Sequence, residues 1–180
     1  MAPPFGWNLV TMKLLRFSPL LVLLVLLVIG MNVIQGGVDK VKDLATQGSL
    51  PHQKKLYLFY MAEGEQHDEV EAFKWVKMAA EKGDPGAQFT TAQFYLQGLA
   101  SVDIDKTKAL TLFEKSAKQG NKDAQRLTGI MYLKGEGAVA DYAMSRHWLE
   151  KAALQGDERA KSILPTVDRL SALSKQLGKQ

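Results

Sequence analysis

The sequence predicts an all-α protein: an α-solenoid of about three helix pairs, closed by a C-terminal capping helix and preceded by an apolar N-terminal helix. Three observations predict it. A nine-residue pattern recurs at a near-constant interval. Alanines, tyrosines and glycines hold fixed places within that interval. One uninterrupted apolar run lies near the amino terminus.

The apolar run comes first in the chain. Residues 20–29 read Leu-Leu-Val-Leu-Leu-Val-Leu-Leu-Val-Ile, extended by Phe17 on one side and by Met31, Val33 and Ile34 on the other. Lys13 and Arg16 precede it, and residues 1–37 hold no acid. A positive flank before an apolar stretch is the pattern of an export signal, and Met12 begins a more typical one than Met1. The fully apolar core has the length of a signal h-region, while residues 17–34 can just span a bilayer. No Ala-x-Ala site follows, although Val28-Ile29-Gly30 is a tolerable substitute. The expectation is an uncleaved anchor at 17–34 with residues 1–16 in the cytoplasm. The chain is then single-pass in a bacterial-type inner membrane, with its bulk in the periplasm. Lys40 and Lys42 lie just beyond the segment and soften this orientation signal. The alternative is cleavage, giving a periplasmic or secreted chain. Residues 35–50 read as a linker, within which 38–48 form a short helix or extend the linker.

The repeat follows. Trp75-Val-Lys-Met-Ala-Ala-Glu-Lys-Gly83, Leu112-Phe-Glu-Lys-Ser-Ala-Lys-Gln-Gly120 and Trp148-Leu-Glu-Lys-Ala-Ala-Leu-Gln-Gly156 align, with their glycines 37 and 36 residues apart. A fixed period in this range marks a solenoid. Ala87, Tyr95 and Gly98 correspond to Ala124, Tyr132 and Gly135. Ala72, Ala109 and Ser145 stand three residues before Trp75, Leu112 and Trp148. An earlier, degraded copy of the first helix lies at Leu56–Tyr60, with Tyr60 in the tyrosine slot and Glu63 replacing the glycine.

Each element has a physical reason. The small pairs Ala79-Ala80, Ser116-Ala117 and Ala152-Ala153 let neighbouring helices approach. Trp75, Trp148 and the tyrosines supply large buried area. Gly83, Gly120 and Gly156 can take the left-handed conformation that ends a helix. Asp84, Asn121 and Asp157 then cap the next one, and Pro85 suits a first helical position. The other connection is longer: Gly135-Glu-Gly137-Ala-Val-Ala-Asp141 in the third unit, and Gly98 to Asp105 in the second. Helices are expected near 51–62, 68–82, 85–97, 106–119, 122–134 and 141–155. The repeats occupy 51–156 as units 51–83, 84–120 and 121–156. The stretch 157–180 is the cap that stacked repeats require. There, Pro165 is expected to end or kink a first helix, and Leu170, Leu173 and Leu177 suggest an amphipathic helix from about 166 to 177.

The string Ala124…Gly129…Tyr132…Gly135-Glu-Gly137…Asp141-Tyr142…Trp148-Leu-Glu-Lys-Ala-Ala-Leu-Gln-Gly156 resembles a Sel1-like repeat, a relative of the tetratricopeptide repeat. The third copy matches closely. The second departs: Ala92 stands in the second glycine slot, Leu112 in the tryptophan slot, and the Gly-x-Gly loop is lost. The first is recognisable mainly in its second helix. The resemblance covers roughly residues 50–156. It implies an adaptor that holds proteins or peptides, and it carries no catalytic residue to transfer.

The residues themselves offer little chemistry. There is no cysteine, so disulfides, thiolate zinc sites and a thiol nucleophile are excluded. Beyond residue 37 the chain carries 21 basic and 19 acidic residues, a balance that does not point to nucleic acid. Of the three histidines, His67-Asp68-Glu69 is the only local cluster of ligand types, and it lacks an i, i+4 partner. His52 and His147 stand apart from it. No phosphate loop or nucleophile elbow is present. No catalytic, cofactor or metal site is expected. The chain is expected to be a non-enzymatic, membrane-tethered scaffold for an unidentified protein or peptide partner. At 100° per residue, Gln93, Gln97, Arg126 and Lys134 fall on one arc away from the face of Ala87, Tyr95 and Gly98, and form the candidate partner-facing strip. The rival readings are a secreted or periplasmic effector or regulator with a cleaved signal peptide, and an enzyme in which His67, His147 and acids converge.

Overall fold

The computed structural model describes residues 19–64 and 67–177, without the side chains of 19–22, 25 and 34. The expected cytoplasmic flank 1–16 and the first two residues of the expected anchor lie outside the described residues. Eight helices follow in order: α1 (Pro19–Thr46), α2 (Leu50–Met61), α3 (Glu69–Glu81), α4 (Pro85–Gln97), α5 (Lys106–Lys118), α6 (Lys122–Lys134), α7 (Tyr142–Leu154) and α8 (Glu158–Leu177). No strand occurs among the described residues. Each helix packs on the next along the chain, and α6 also meets α8. This is an all-α solenoid.

The helix starts are written in the caps. Asp68, Asp84, Asp105, Asn121 and Asp141 each accept a backbone N–H of the first turn that follows. Asp157 does the same for α8, taking the Ala160 N–H at 2.9 Å. Each such cap contributes about 1 kcal/mol. The stop is equally local. Gly83 has φ +91, a left-handed value that a side chain would strain. There the Gly83 N–H reaches Ala80 O, the Asp84 N–H reaches Ala79 O, and α4 begins at once. The longer connections share a different closure. The N–H groups of Asp68, Asp105 and Asp141 donate to the carbonyls of Tyr60, Tyr95 and Tyr132, at 2.9, 2.8 and 3.0 Å. Tyr60 therefore stands in the tyrosine slot of the first unit.

The core is a chain of clusters rather than one nucleus. Ala92, Phe113, Ala124 and Trp148, from four successive helices, belong to one cluster. Val76, Ala80, Ala87 and Phe94 form the preceding one, and Leu149, Ala152, Ala160 and Val167 the following one. Each cluster buries the apolar face of its neighbour, which is how a solenoid obtains stability from adjacent units alone.

Two expectations are corrected at the ends. The stretch 35–50 is mostly helical: of the two readings of 38–48 the helix holds, but it is continuous with the preceding apolar run, since α1 runs unbroken to Thr46. Its last turns dock on the solenoid, with Ala45 fully buried beside Leu56 and Trp75. That docking offsets the cost of Gly36 and Gly37 within a helix, about 1 kcal/mol each. Lys40-Val-Lys-Asp-Leu-Ala-Thr-Gln-Gly48 aligns with Trp75…Gly83, and Gly48 carries the same left-handed φ, +95. The end of α1 is thus the second helix of an additional, incomplete unit. At the other end Pro165 does not end a helix, because α8 continues through it. Pro165 lies on the exposed side, while Ala160 and Val167 on either side of it are fully buried against Leu149 and Ala152. Packing of those two residues outweighs the hydrogen bond that proline cannot make.

Every described side chain of large apolar type from Leu23 to Val33 is between 48 and 72% exposed. Among the described residues, no helix is long and apolar enough to cross a membrane.

Candidate functional site

The expected partner-facing residues lie on α4 and α6. Gln97 and Lys134 are repeat equivalents, 37 positions apart, and both are exposed in the last helical turn before a glycine cap. Gln93 is half-buried. Arg126 is committed within the protein. Its Nε donates to Asp157 Oδ2 at 2.9 Å and its Nη2 to Asp123 Oδ1 at 2.8 Å. Burial opposes its charge, but the two carboxylates outweigh burial and hold the guanidinium protonated. Since Asp157 is also the cap of α8, Arg126 ties the last repeat to the C-terminal helix. The exposed polar positions left for a partner are Gln97 and Lys134.

A second feature was not anticipated from the sequence. A groove of about 280 Å³ opens between α3 and α5, with α4 as its floor. Its lining includes Thr91 and Tyr95 of α4, Leu112 of α5, and Lys77, Lys108 and Lys115 around the mouth. The sequence does hold a signal for it. Trp75 and Trp148 are each only 2% exposed in their units, whereas Leu112 stands in the same slot with a smaller side chain. The departure from the repeat pattern and the groove coincide.

The three histidines each have a different neighbour. His52 shares a hydrogen bond with Ser49 at the start of α2. His67 lies 3.9 Å from Glu69, and His147 sits edge-on to Trp148 on α7. These are three separate places along the stack. No group of three or more histidines and carboxylates that could hold a metal ion occurs among the described residues. The Tyr132 hydroxyl donates to Glu114, and this bond together with burial pushes its pKa up to about 12. At neutral pH it is a donor that joins α6 to α5.

Comparison with known proteins agrees with the geometry. The family model described as Sel1 repeat matches residues 57–84, 85–121 and 122–157, more than half of the chain. The crystal structure of a Sel1 repeat protein from Oxalobacter formigenes is similar with a TM-score of 0.64 and 34% identity, over 72% of this chain and 98% of that one. An uncharacterized protein of Neisseria meningitidis serogroup B is 34% identical over 130 residues, covering 69% of this chain and 27% of its own length. An exopolysaccharide production negative regulator of Rhizobium leguminosarum bv. viciae is 30% identical over 118 residues, covering 58% and 44%. The chain spans less than half the length of the curated relatives it matches.

Proposed function

The chain belongs to the Sel1 repeat family, and from that premise we propose that it is an adaptor or scaffold, a module that holds a protein partner at a membrane. The observation that carries this reading is the stack itself. Successive helix pairs repeat one geometry along α2 to α7, and such stacks present a continuous surface whose use is recognition of other chains. The grooves between helices are open, and the histidines and acids are dispersed along the stack. A non-catalytic module accounts for both. The Rhizobium relative bears the name of a regulator, which fits an activity exercised through binding.

The tether is the second part of the proposal. It counts the whole run 17–34, part of which lies outside the described residues. Its support is physical. Leu23, Leu24, Leu26, Leu27 and Ile29 are more than half exposed along one helix. An apolar surface of that length is costly in water, at roughly 25 cal/mol per Å². Lys13 and Arg16 before the run favour an inside amino terminus and a periplasmic solenoid. Continuity of α1 into the solenoid favours the uncleaved form. Loss of about thirty N-terminal residues from the mature protein would instead support the secreted or periplasmic regulator.

A photo-crosslinking residue placed at Gln97 or Lys134 tests the binding reading in cells. One discrete, heavier adduct is the expected result; an unchanged band at both positions opposes it. Alkaline extraction of the same cells tests the tether: the chain is expected in the membrane pellet, and full release opposes attachment.

A further inference from the structure

Resting on the reading that the solenoid holds a protein or peptide, we infer that the groove between α3 and α5 receives an aromatic side chain from an acidic segment of the partner. Three observations carry this.

The first is shape. In the units on either side, a tryptophan fills the slot and is buried, as Trp75 and Trp148. In the middle unit Leu112 takes that slot, and the space beside it stays open as the groove. The rest of the slot's lining is conventional, with Ala80, Thr91 and Tyr95 at the repeat positions of Ala117, Thr128 and Tyr132. A ring delivered by another chain restores the packing that the fold achieves by itself elsewhere.

The second is charge. The groove's mouth carries Lys77, Lys108 and Lys115 against one acid, Glu81. Lys108 is paired with Asp105 at 2.9 Å. Lys77 and Lys115 are exposed and make no ion pair among the described residues. Carboxylates flanking an inserted ring would meet them.

The third is the exchange of an acceptor for a cation. The Trp75 indole N–H donates to Glu71, four residues earlier, at 3.1 Å. The counterpart of Glu71 beside Leu112 is Lys108. Where the first unit has the carboxylate that accepts from Trp75, the middle unit has a cation that attracts an anion or lies over a ring; the third unit has Met144 there. Lys108 Nζ already sits 5.4 Å from the Tyr95 ring centroid.

The test uses the full chain in lipid nanodiscs and a fluorescent nine-residue peptide with one central tryptophan between glutamates. Anisotropy is expected to show saturable binding. Leu112→Trp fills the groove from within and is expected to weaken binding at least about ten-fold, as does removal of an aromatic anchor. Replacing the peptide's tryptophan by alanine, or its glutamates by lysines, is expected to do the same. Should Leu112→Trp lose helicity, the exposed pair Lys77→Glu with Lys115→Glu decides, since neither is in the core; it too is expected to weaken binding at least about ten-fold. Equal binding by wild type and these variants, equal binding of the alanine peptide, or no binding up to millimolar peptide overturns the assignment. An adduct at Gln97 or Lys134 that survives in Leu112→Trp likewise overturns the groove while leaving the interaction module standing. Loss of adducts in the wild type itself removes the module.

Discussion

Gln155 Nε2 donates to Gln125 Oε1 at 2.7 Å, and Gln125 Nε2 donates in turn to Ala117 O at 3.1 Å. One unit earlier, Gln119 donates to Gln88 at 2.8 Å and Gln88 to Ala80 O at 3.3 Å. The same relay thus joins the ends of α3 and α5 through α4, and the ends of α5 and α7 through α6. It is a polar tie between consecutive second helices, in which Gln88 and Gln125 are buried and Gln119 and Gln155 are exposed. Gln125→Ala leaves the Ala117 carbonyl and the Gln155 amide each without this partner. The expected loss is about 2 kcal/mol in urea denaturation. An unchanged midpoint would show that the relay contributes nothing.

The relay is incomplete in the first unit. Gln53 donates to Ala45 O at 3.0 Å, but its Oε1 is buried with no partner. Lys82 stands where Gln119 and Gln155 stand in later units. Lys82→Gln is expected to complete the pair and raise stability by about 1 kcal/mol. Thermal melting measures it, and a lower midpoint would contradict the repeat equivalence.

At Gly129, α6 lies close against α7. A Cβ there would lie 2.6 Å from Leu149 Cγ and 3.0 Å from Ser145 O. Gly129→Ala should therefore cost about 1–3 kcal/mol through overpacking, against the helix-propensity gain of losing a glycine. Ala92 occupies the equivalent slot in α4 without loss of the stack, so the cost is specific to the third unit. Denaturation of the variant checks the sign, and stabilisation would mean that Leu149 yields.

Asp157 sets an acid limit. Burial pushes its carboxyl up, but the Ala160 N–H and the Arg126 guanidinium outweigh burial and hold its pKa below the ordinary value. A depressed folded pKa contributes stability that is present above the unfolded value, about 3.9, and is lost as pH falls through the folded value. Asp157→Asn is expected to cost about 2 kcal/mol at pH 7. The gap from wild type should shrink in acid, as pH falls through the lowered folded value and the carboxylate of the wild type is protonated as well. An equal gap at both pH values would remove Asp157 as an ionised partner of Arg126.

The stack was legible in the sequence because its punctuation is local. An aspartate or asparagine at the start, a glycine at the stop and alanines between them encode a helix pair without reference to distant residues. What escaped was set by tertiary packing. The second helix hidden in Lys40–Gly48 has lysine in place of the tryptophan, so only its later residues betray the repeat. A helix end at Pro165 did not follow because Ala160 and Val167 are held by the preceding unit. Arg126 read as partner-facing because its acceptor Asp157 lies 31 residues away in sequence. The groove required knowing that the space beside Leu112 is left open, which a substitution in a single slot suggests but does not fix.

Affinity capture of the full chain, gently solubilised from membranes of its own cells and weighed by light scattering, tests the scaffold reading most directly. The expected particle contains the chain and one further protein in fixed ratio. A chain that emerges alone, from the soluble fraction and at its own mass, would contradict both the partner and the tether.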